Sequence, residues 1–175
     1  MHASPLRGRP PRIRLVPLGP AHLEPILAGQ DEALAREVFG RPWTRAALAA
    51  FLTRAERWSP DGPICEWAAL DDRGQLIGGG GVHRVGAGVE RGQADVSYWV
   101  LGAHRGRGCG RAVAAALVEN ACADARTCEV VLRIVPDNAA SAAVARGLGA
   151  WPTGIIERHP ADGARRVERW ILPLS

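Results

Sequence analysis

Short stretches with apolar residues at every second position alternate along this chain with longer ones in which they recur every third or fourth. That alternation lays out the elements. "RIRLVPL" over 12–18 predicts a first strand, closed by Gly19-Pro20. From Ala21 to about Phe39 the spacing is helical, interrupted by Pro25 and Gly29. A second helix is predicted where Leu48, Phe51, Leu52 and Ala55 share a face, with Thr44 as its N-cap. "CEWAALDDRGQLIGGGGVHRV" predicts two strands around a turn at Asp72-Arg73-Gly74, and "GQADVSYWVL" a further strand. "CGRAVAAALVENACADA" repeats as a helix, and "CEVVLRIV" is the near-continuous apolar run of a buried strand. "DNAASAAVARGLGA" predicts a helix with an Asp-Asn start and a glycine-rich stop. The final "TGIIERHPADGARRVERWIL" predicts a hairpin turning at Asp162-Gly163. Early hairpins followed by a strand–helix–strand unit imply an α+β (mixed α/β) fold without repeats. Residues 12–175 are expected to form a single domain, preceded by a flexible basic arm over 1–11.

Composition narrows the function classes. The 175 residues, 47% apolar and 23% charged, suffice for one buried core. No run of about 18 apolar residues predicts a membrane span, and "MHASPLRGRPPRIRL" lacks the apolar centre of a secretory signal, so a cytoplasmic location is expected. All 22 basic side chains are arginine. A phosphate loop of the Walker type needs its lysine, so a P-loop NTPase is excluded. The pI is near 9.4, but the arginines are scattered among acidic residues, so no nucleic-acid partner is expected. Cys65, Cys109, Cys122 and Cys128 form no CxxC pair and are read as reduced packing residues. The five histidines form no ligand pair, so no metal is expected.

The most specific stretch is "HRGRGCGRAVAAALVENA", residues 104–121. Glycines at every second position permit close backbone approach and positive φ, arginines make the surroundings electropositive, and a helix begins at once. These are the parts of a phosphate seat. The spacing is not GxGxxG, because Arg111 stands where the third glycine would be, so the dinucleotide fingerprint fails. It is R-x-x-G-x-G, at Arg105, Gly108 and Gly110. With that motif the segment resembles the acyl-CoA pyrophosphate loop of the GNAT superfamily of N-acetyltransferases. Upstream, "ADVSYWVLGAHRGRG" resembles the fourth strand of its RimJ/RimL-like branch. Downstream, "LRIVPDNAASAAVARGLGA" resembles that branch's second signature, and "IRLVPLGPAHLEPIL" its opening. Ala150 departs from the aromatic that usually closes the signature, with Trp151 following.

The resemblance implies a mixed, mostly antiparallel, strongly twisted sheet of about seven strands and about four helices, with a splayed central pair. It implies acetyl-CoA as acyl donor and direct transfer to an amine: a protein N-terminus, an amino acid, a polyamine or another amine-bearing small molecule. The protein would act as a monomer or homodimer. The pyrophosphate would sit on backbone N–H groups from about Arg107 through Gly108, Cys109 and Gly110 to Arg111, with Gly106 also in the cofactor-binding loop and Arg105 and Arg111 adding charge. Trp99, Val100 and Leu101 would pair with the pantetheine arm, and Asn138 would hydrogen-bond it. Cys109 would serve as a small residue rather than as a nucleophile. Relatives often use a helix tyrosine to protonate the leaving thiolate. The matching position is Ala145, so Ser141 is expected in that role.

The acceptor's chemistry asks for a base. At neutral pH a lysine-like amine, pKa about 10.4, is about 0.04% neutral, against about 14% for an α-amino group near 7.8, a difference of about 3.5 kcal/mol. The resemblance implies Asp95 as the base, since the branch often carries a glutamate, one methylene longer, at this place on the strand; by alternation Asp95 shares a face with Ser97 and Trp99. Phe39, Trp43 and Trp58 are candidates for the acceptor's walls, Glu37 for meeting a cationic substrate, and His83 for a proton relay, beside the simpler reading of each as core or surface. The alternative to an enzyme is a catalytically silent acyl-CoA-binding module, suggested by the absent helix tyrosine and the short carboxylate.

Overall fold

The structure, a computed structural model, describes residues 11–35, 39–160 and 162–174. Residues 1–10 of the expected arm, and Glu37, lie outside the described residues. The elements are β1 (Arg14–Pro17), a 3₁₀ turn at Pro20–His22, α1 (Leu23–Gly29), α2 (Glu32–Leu34), α3 (Arg45–Ala55), β2 (Ile64–Leu70), β3 (Leu76–His83) and β4 (Gln93–Val100). After a second 3₁₀ turn, Gly102–His104, come α4 (Cys109–Cys122), β5 (Glu129–Ile134), α5 (Ala139–Leu148), β6 (Trp151–His159) and β7 (Asp162–Pro173). The seven strands form one sheet in the order β1-β2-β3-β4-β5-β7-β6. Every neighbouring pair is antiparallel except β4 and β5.

Two cores line the two faces of the sheet, as alternation along the strands requires. Ala94, Val96 and Val100 of β4 pack with Val113, Leu117 and Ala121 of α4. Trp99 points the other way, into a cluster with Ile26, Leu34, Leu48 and Leu52 from the early helices. The run Gly78–Gly81 has poor intrinsic strand propensity, yet it forms the middle of central strand β3. Its neighbours explain why. A Cβ on Gly79 would meet Cζ2 of Trp99 at 2.6 Å, and one on Gly80 would fall on the Ser97 carbonyl oxygen and Cδ1 of Leu117. The bare strand lets an indole lie on one face and α4 press on the other.

Thr44 caps α3 as expected, its hydroxyl accepting from Ala47 N–H at 3.2 Å. The helical stretch expected from Ala21 to about Phe39, with breaks at Pro25 and Gly29, is broken at Gly29 but not at Pro25: its described residues up to Leu34 form a 3₁₀ turn and two short helices. Pro25 is tolerated in the first turn of α1, where its missing N–H has no intrahelical partner to lose. α1 ends at Gly29, where a Cβ would crowd Leu101 at 2.9 Å. The last hairpin reverses before Asp162-Gly163, not at it, because His159 already pairs with Asp162. Cys65 and Cys109 are buried packing residues as expected, whereas Cys122 and Cys128 are exposed.

Candidate active site

The parallel pair makes the opening. β4 and β5 stay in register from Gln93↔Glu129 to Asp95↔Val131 and then part, although both strands continue. Leu101 N–H donates to the Ile77 carbonyl at 2.9 Å. Antiparallel alternation therefore commits the backbones of Trp99 and Leu101 to β3 and turns those of Val96, Tyr98 and Val100 toward the gap. This corrects the expected trio: of Trp99, Val100 and Leu101 only Val100 faces the gap, and its carbonyl accepts from Arg105 Nε at 3.2 Å.

Beside the gap lies the glycine loop. Gly106 and Gly108 have φ of 72° and 78°, with no atom within 4 Å of a Cβ at either. Conformation, not crowding, demands glycine there. Gly108 caps α4 without a side chain, so the first N–H groups of the helix, from Cys109 to Arg111, have no side-chain acceptor. The Cys109 thiol is buried, and burial raises its pKa, which suits packing and not nucleophilic attack.

The three loop arginines differ. Arg105 grips Asp31 with both terminal nitrogens, at 2.8 and 3.0 Å, so its fork straps the loop to the N-cap of α2 instead of standing free for a phosphate. Arg111 donates to the Gly147 carbonyl at 3.1 Å. Arg107 is exposed and has no ion-pair partner among the described residues.

A cleft of about 300 Å³ joins Val100 and the loop glycines to Asn138, Ser141 and Val144. Asn138 caps α5, its Oδ1 accepting from Ser141 N–H at 2.9 Å. Tyr98, which the sequence left unassigned, donates its hydroxyl to Ser141 Oγ at 3.2 Å. A tyrosine thus reaches the second signature from β4, not from the helix.

On the other face of β4 lies a cavity of about 760 Å³. Trp99 borders both hollows. Phe39, Trp43 and Phe51 line the larger one, the first two edge-on at 5.7 Å and the last two stacked at 5.3 Å. Trp58 stands behind, edge-on to Phe51 and to His83. Asp95, Ser97 and Trp99 all face this cavity, as alternation predicts.

Asp95 is not free there. It is ion-paired with Arg133, whose side chain is 2% exposed and also holds Glu157 at 2.8 Å. Burial raises the Asp95 pKa above the usual carboxylate value, against the pull of Arg133, His83 and Arg169. A second group that can accept a proton, read above as a candidate relay, is His83 on the same cavity. His83 Nε2 lies 2.8 Å from Glu66 Oε1. A carboxylate can only accept, so Nε2 carries the hydrogen and Nδ1 is the basic nitrogen. Burial opposes the charged imidazolium, but Glu66 and Asp95 outweigh it, and the His83 pKa is raised. Glu66 sits opposite Gly81, two residues before His83 on β3. A Cβ on Gly81 would lie 2.7 Å from Glu66 Oε1 and 2.8 Å from His83 Nε2, so the glycine makes room for the pair.

A glycine-capped helix thus stands beside parted parallel strands, with a cleft on one face of β4 and a cavity on the other. The acetyltransferase (GNAT) domain model matches residues 12–150, and the chain belongs to the GNAT acetyltransferase family. It is similar to spermidine N-acetyltransferase from Vibrio cholerae, solved with CoA and spermine, at 16% identity and a TM-score of 0.73 over 93% of this chain and 95% of that one. It is also similar to Mycobacterium smegmatis RimJ, solved with CoA-disulfide, at 16% identity and a TM-score of 0.75 over 94% of this chain and 86% of that one. No curated protein matches the chain.

Proposed function

We propose that the protein transfers an acetyl group from acetyl-CoA directly to an amine, with CoA in the smaller cleft and the amine in the larger cavity. One observation carries this: the two hollows lie on opposite faces of β4 and share Trp99, beside the point where β4 leaves β5. CoA in the complexes of both neighbours supports the choice of donor. The Tyr98-Trp99 pair and the Asn138/Ser141 signature support a RimJ/RimL-like branch.

The pyrophosphate rests on the N–H groups of Arg107 to Arg111, where the helix dipole adds about 0.3–2 kcal/mol for an anion. Arg107 supplies charge, and Arg105 and Arg111 hold the loop in shape. The arm follows the gap-facing backbone of Tyr98 and Val100, past Asn138. The amine nitrogen attacks the thioester carbonyl and gives its proton to His83 Nδ1, which Glu66 orients. Asp95, paired with Arg133, adds negative potential. The C–S bond breaks with its electron pair on sulfur, and the thiolate takes a proton from Ser141, replenished by Tyr98. Free CoA and an amide result, with no covalent enzyme intermediate.

Calorimetric titration with acetyl-CoA, alongside ATP and NAD, tests the donor. Micromolar binding of acetyl-CoA alone supports the reading, and failure of acetyl-CoA, succinyl-CoA and free CoA alike ends it. Ser141→Ala and Tyr98→Phe should each slow acetyl transfer in single turnover by about tenfold or more, with the CoA dissociation constant within a few-fold. Loss of CoA affinity instead would assign them to binding.

The pH profile tests the base. His83 has a raised folded pKa, so turnover should climb through a pKa above the ordinary value of about 6.5. His83→Gln should remove that limb and lower kcat/KM by about 100-fold. Stability runs the opposite way: the ion pair stabilises fully below the unfolded pKa and is lost as pH rises through the folded one. His83→Gln should therefore flatten the decline of stability in that window. Should Asp95→Asn abolish the limb while His83→Gln keeps it, the base is Asp95.

A further inference from the structure

We propose that the acceptor is a small zwitterionic amine with an apolar body, an amino acid or a molecule of that size with a free carboxylate, and not a polycation or a protein N-terminus. This rests on the larger cavity being the acceptor site.

Charge balance is the first argument. Two of the three acidic residues lining the cavity are paired with a guanidinium, Asp95 with Arg133 and Asp162 with Arg165, and Glu66 is hydrogen-bonded to His83. Two guanidiniums remain. Arg41 and Arg54 line the same cavity and have no acidic partner among the described residues. The Arg54 guanidinium lies 6.0 Å from the centre of the Phe51 ring, which holds it against the aromatic wall. Among the described lining residues four guanidiniums, those of Arg41, Arg54, Arg133 and Arg165, stand against three carboxylates, those of Glu66, Asp95 and Asp162; a polyamine meets that net positive charge, whereas a carboxylate meets a guanidinium fork whose geometry matches it.

The second argument is the wall. Phe39, Trp43, Phe51 and Trp99 line the same cavity as the arginines and the Glu66–His83 pair, in contact ring to ring. An amine directed at His83 with its carboxylate on Arg41 or Arg54 lays an apolar side chain along those rings.

The third is the roof. At Gly40, φ is 78°, and a Cβ would lie 2.5 Å from Asp162 Oδ2 and 3.6 Å from Arg165 Nε. The stretch before α3 therefore abuts the start of β7 across the cavity. A volume of about 760 Å³ suits a small molecule.

The experiment is thiol release from acetyl-CoA by the full chain, with matched acceptors: L-phenylalanine, L-leucine and L-methionine, the amide of each, a peptide beginning with each, and spermidine. The amides have the less basic amine, so intrinsic reactivity at neutral pH favours them. The proposal expects the reverse for at least one acid, with kcat/KM at least about tenfold above its amide and its peptide, the scale of one charge-assisted contact. Arg41→Gln or Arg54→Gln should reduce that acid-over-amide ratio about tenfold through the KM of the acid. Equal or better use of the amide, the peptide or spermidine overturns the proposal, as does a ratio unmoved by both variants. Acetyl-CoA binding with no acid acetylated also overturns it. If acetyl-CoA does not bind, the acetyltransferase reading beneath it falls, so the two failures are distinguishable.

Discussion

Gly110→Trp is expected to abolish acetyl-CoA binding while leaving the fold intact. A Cβ at this position meets Tyr98 Cε2 at 3.7 Å, Val144 Cγ2 at 3.9 Å and Val100 Cγ2 at 4.0 Å, all ordinary contacts. Alanine therefore fits and serves as the control, with affinity expected within a few-fold. An indole has nowhere to go but into the cleft of about 300 Å³ that those residues line. It would stand between the first N–H groups of α4 and the gap beyond Asp95, where the proposed arm runs. The dissociation constant should rise more than about 100-fold, equivalent to about 2.7 kcal/mol, with the melting temperature nearly unchanged. Unaltered affinity would show that the cleft is not the donor seat. Gly108→Ala acts by another route: with open space around it, its cost is the positive φ, about 1–2 kcal/mol of local strain.

Arg133→Met should give the largest loss of stability. The guanidinium is buried between Asp95 and Glu157 and donates to the Ala87 and Gly88 carbonyls at 3.4 and 3.0 Å, joining β4, β5, β6 and the loop after β3. Removing one partner of a buried pair costs about 3–5 kcal/mol, because the other charge stays behind. In a domain of this size that lowers the melting temperature by roughly 6–20 °C. The sign of its pH dependence follows from Asp95. A carboxylate whose folded pKa is raised is most compatible with the fold when protonated, and stability falls as pH rises from the unfolded pKa through the folded one. Without Arg133 that effect grows, so the deficit should be greatest at neutral pH and shrink toward about pH 4. Asp95→Asn on the Arg133→Met background should recover much of it. A deficit independent of pH, or no recovery, would mean that Arg133 matters for packing and not for charge.

The chain's order of elements was legible because it is local. Strand β5 announces itself as an apolar run, α4 by its repeat, α3 by Thr44 and its apolar face, and the glycine loop by sitting between a strand and a helix. Boundaries were legible only where a local signal sets them. The stretch after Gly19 reads as a helix interrupted at Pro25 and Gly29, and the structure breaks it at Gly29 only; there Leu101 lies against Gly29, and Arg105 pairs with Asp31 at the start of the next helix. Both partners lie some 70 residues along the chain, and no helical periodicity contains them.

The site divides along the same line. The sequence by itself determined the family-like motif, the glycine loop leading into a helix and the face shared by Asp95, Ser97 and Trp99, because backbone conformation and strand alternation follow from neighbouring residues. Only the tertiary structure decided what each side chain meets. It put Asp95 on Arg133, Arg105 on Asp31, Tyr98 on Ser141 and Glu66 on His83. The separations run from 17 to 74 residues. Those pairings depend on strand register and on how helices cross the sheet, which are set by packing of the whole core and leave no trace in local spacing.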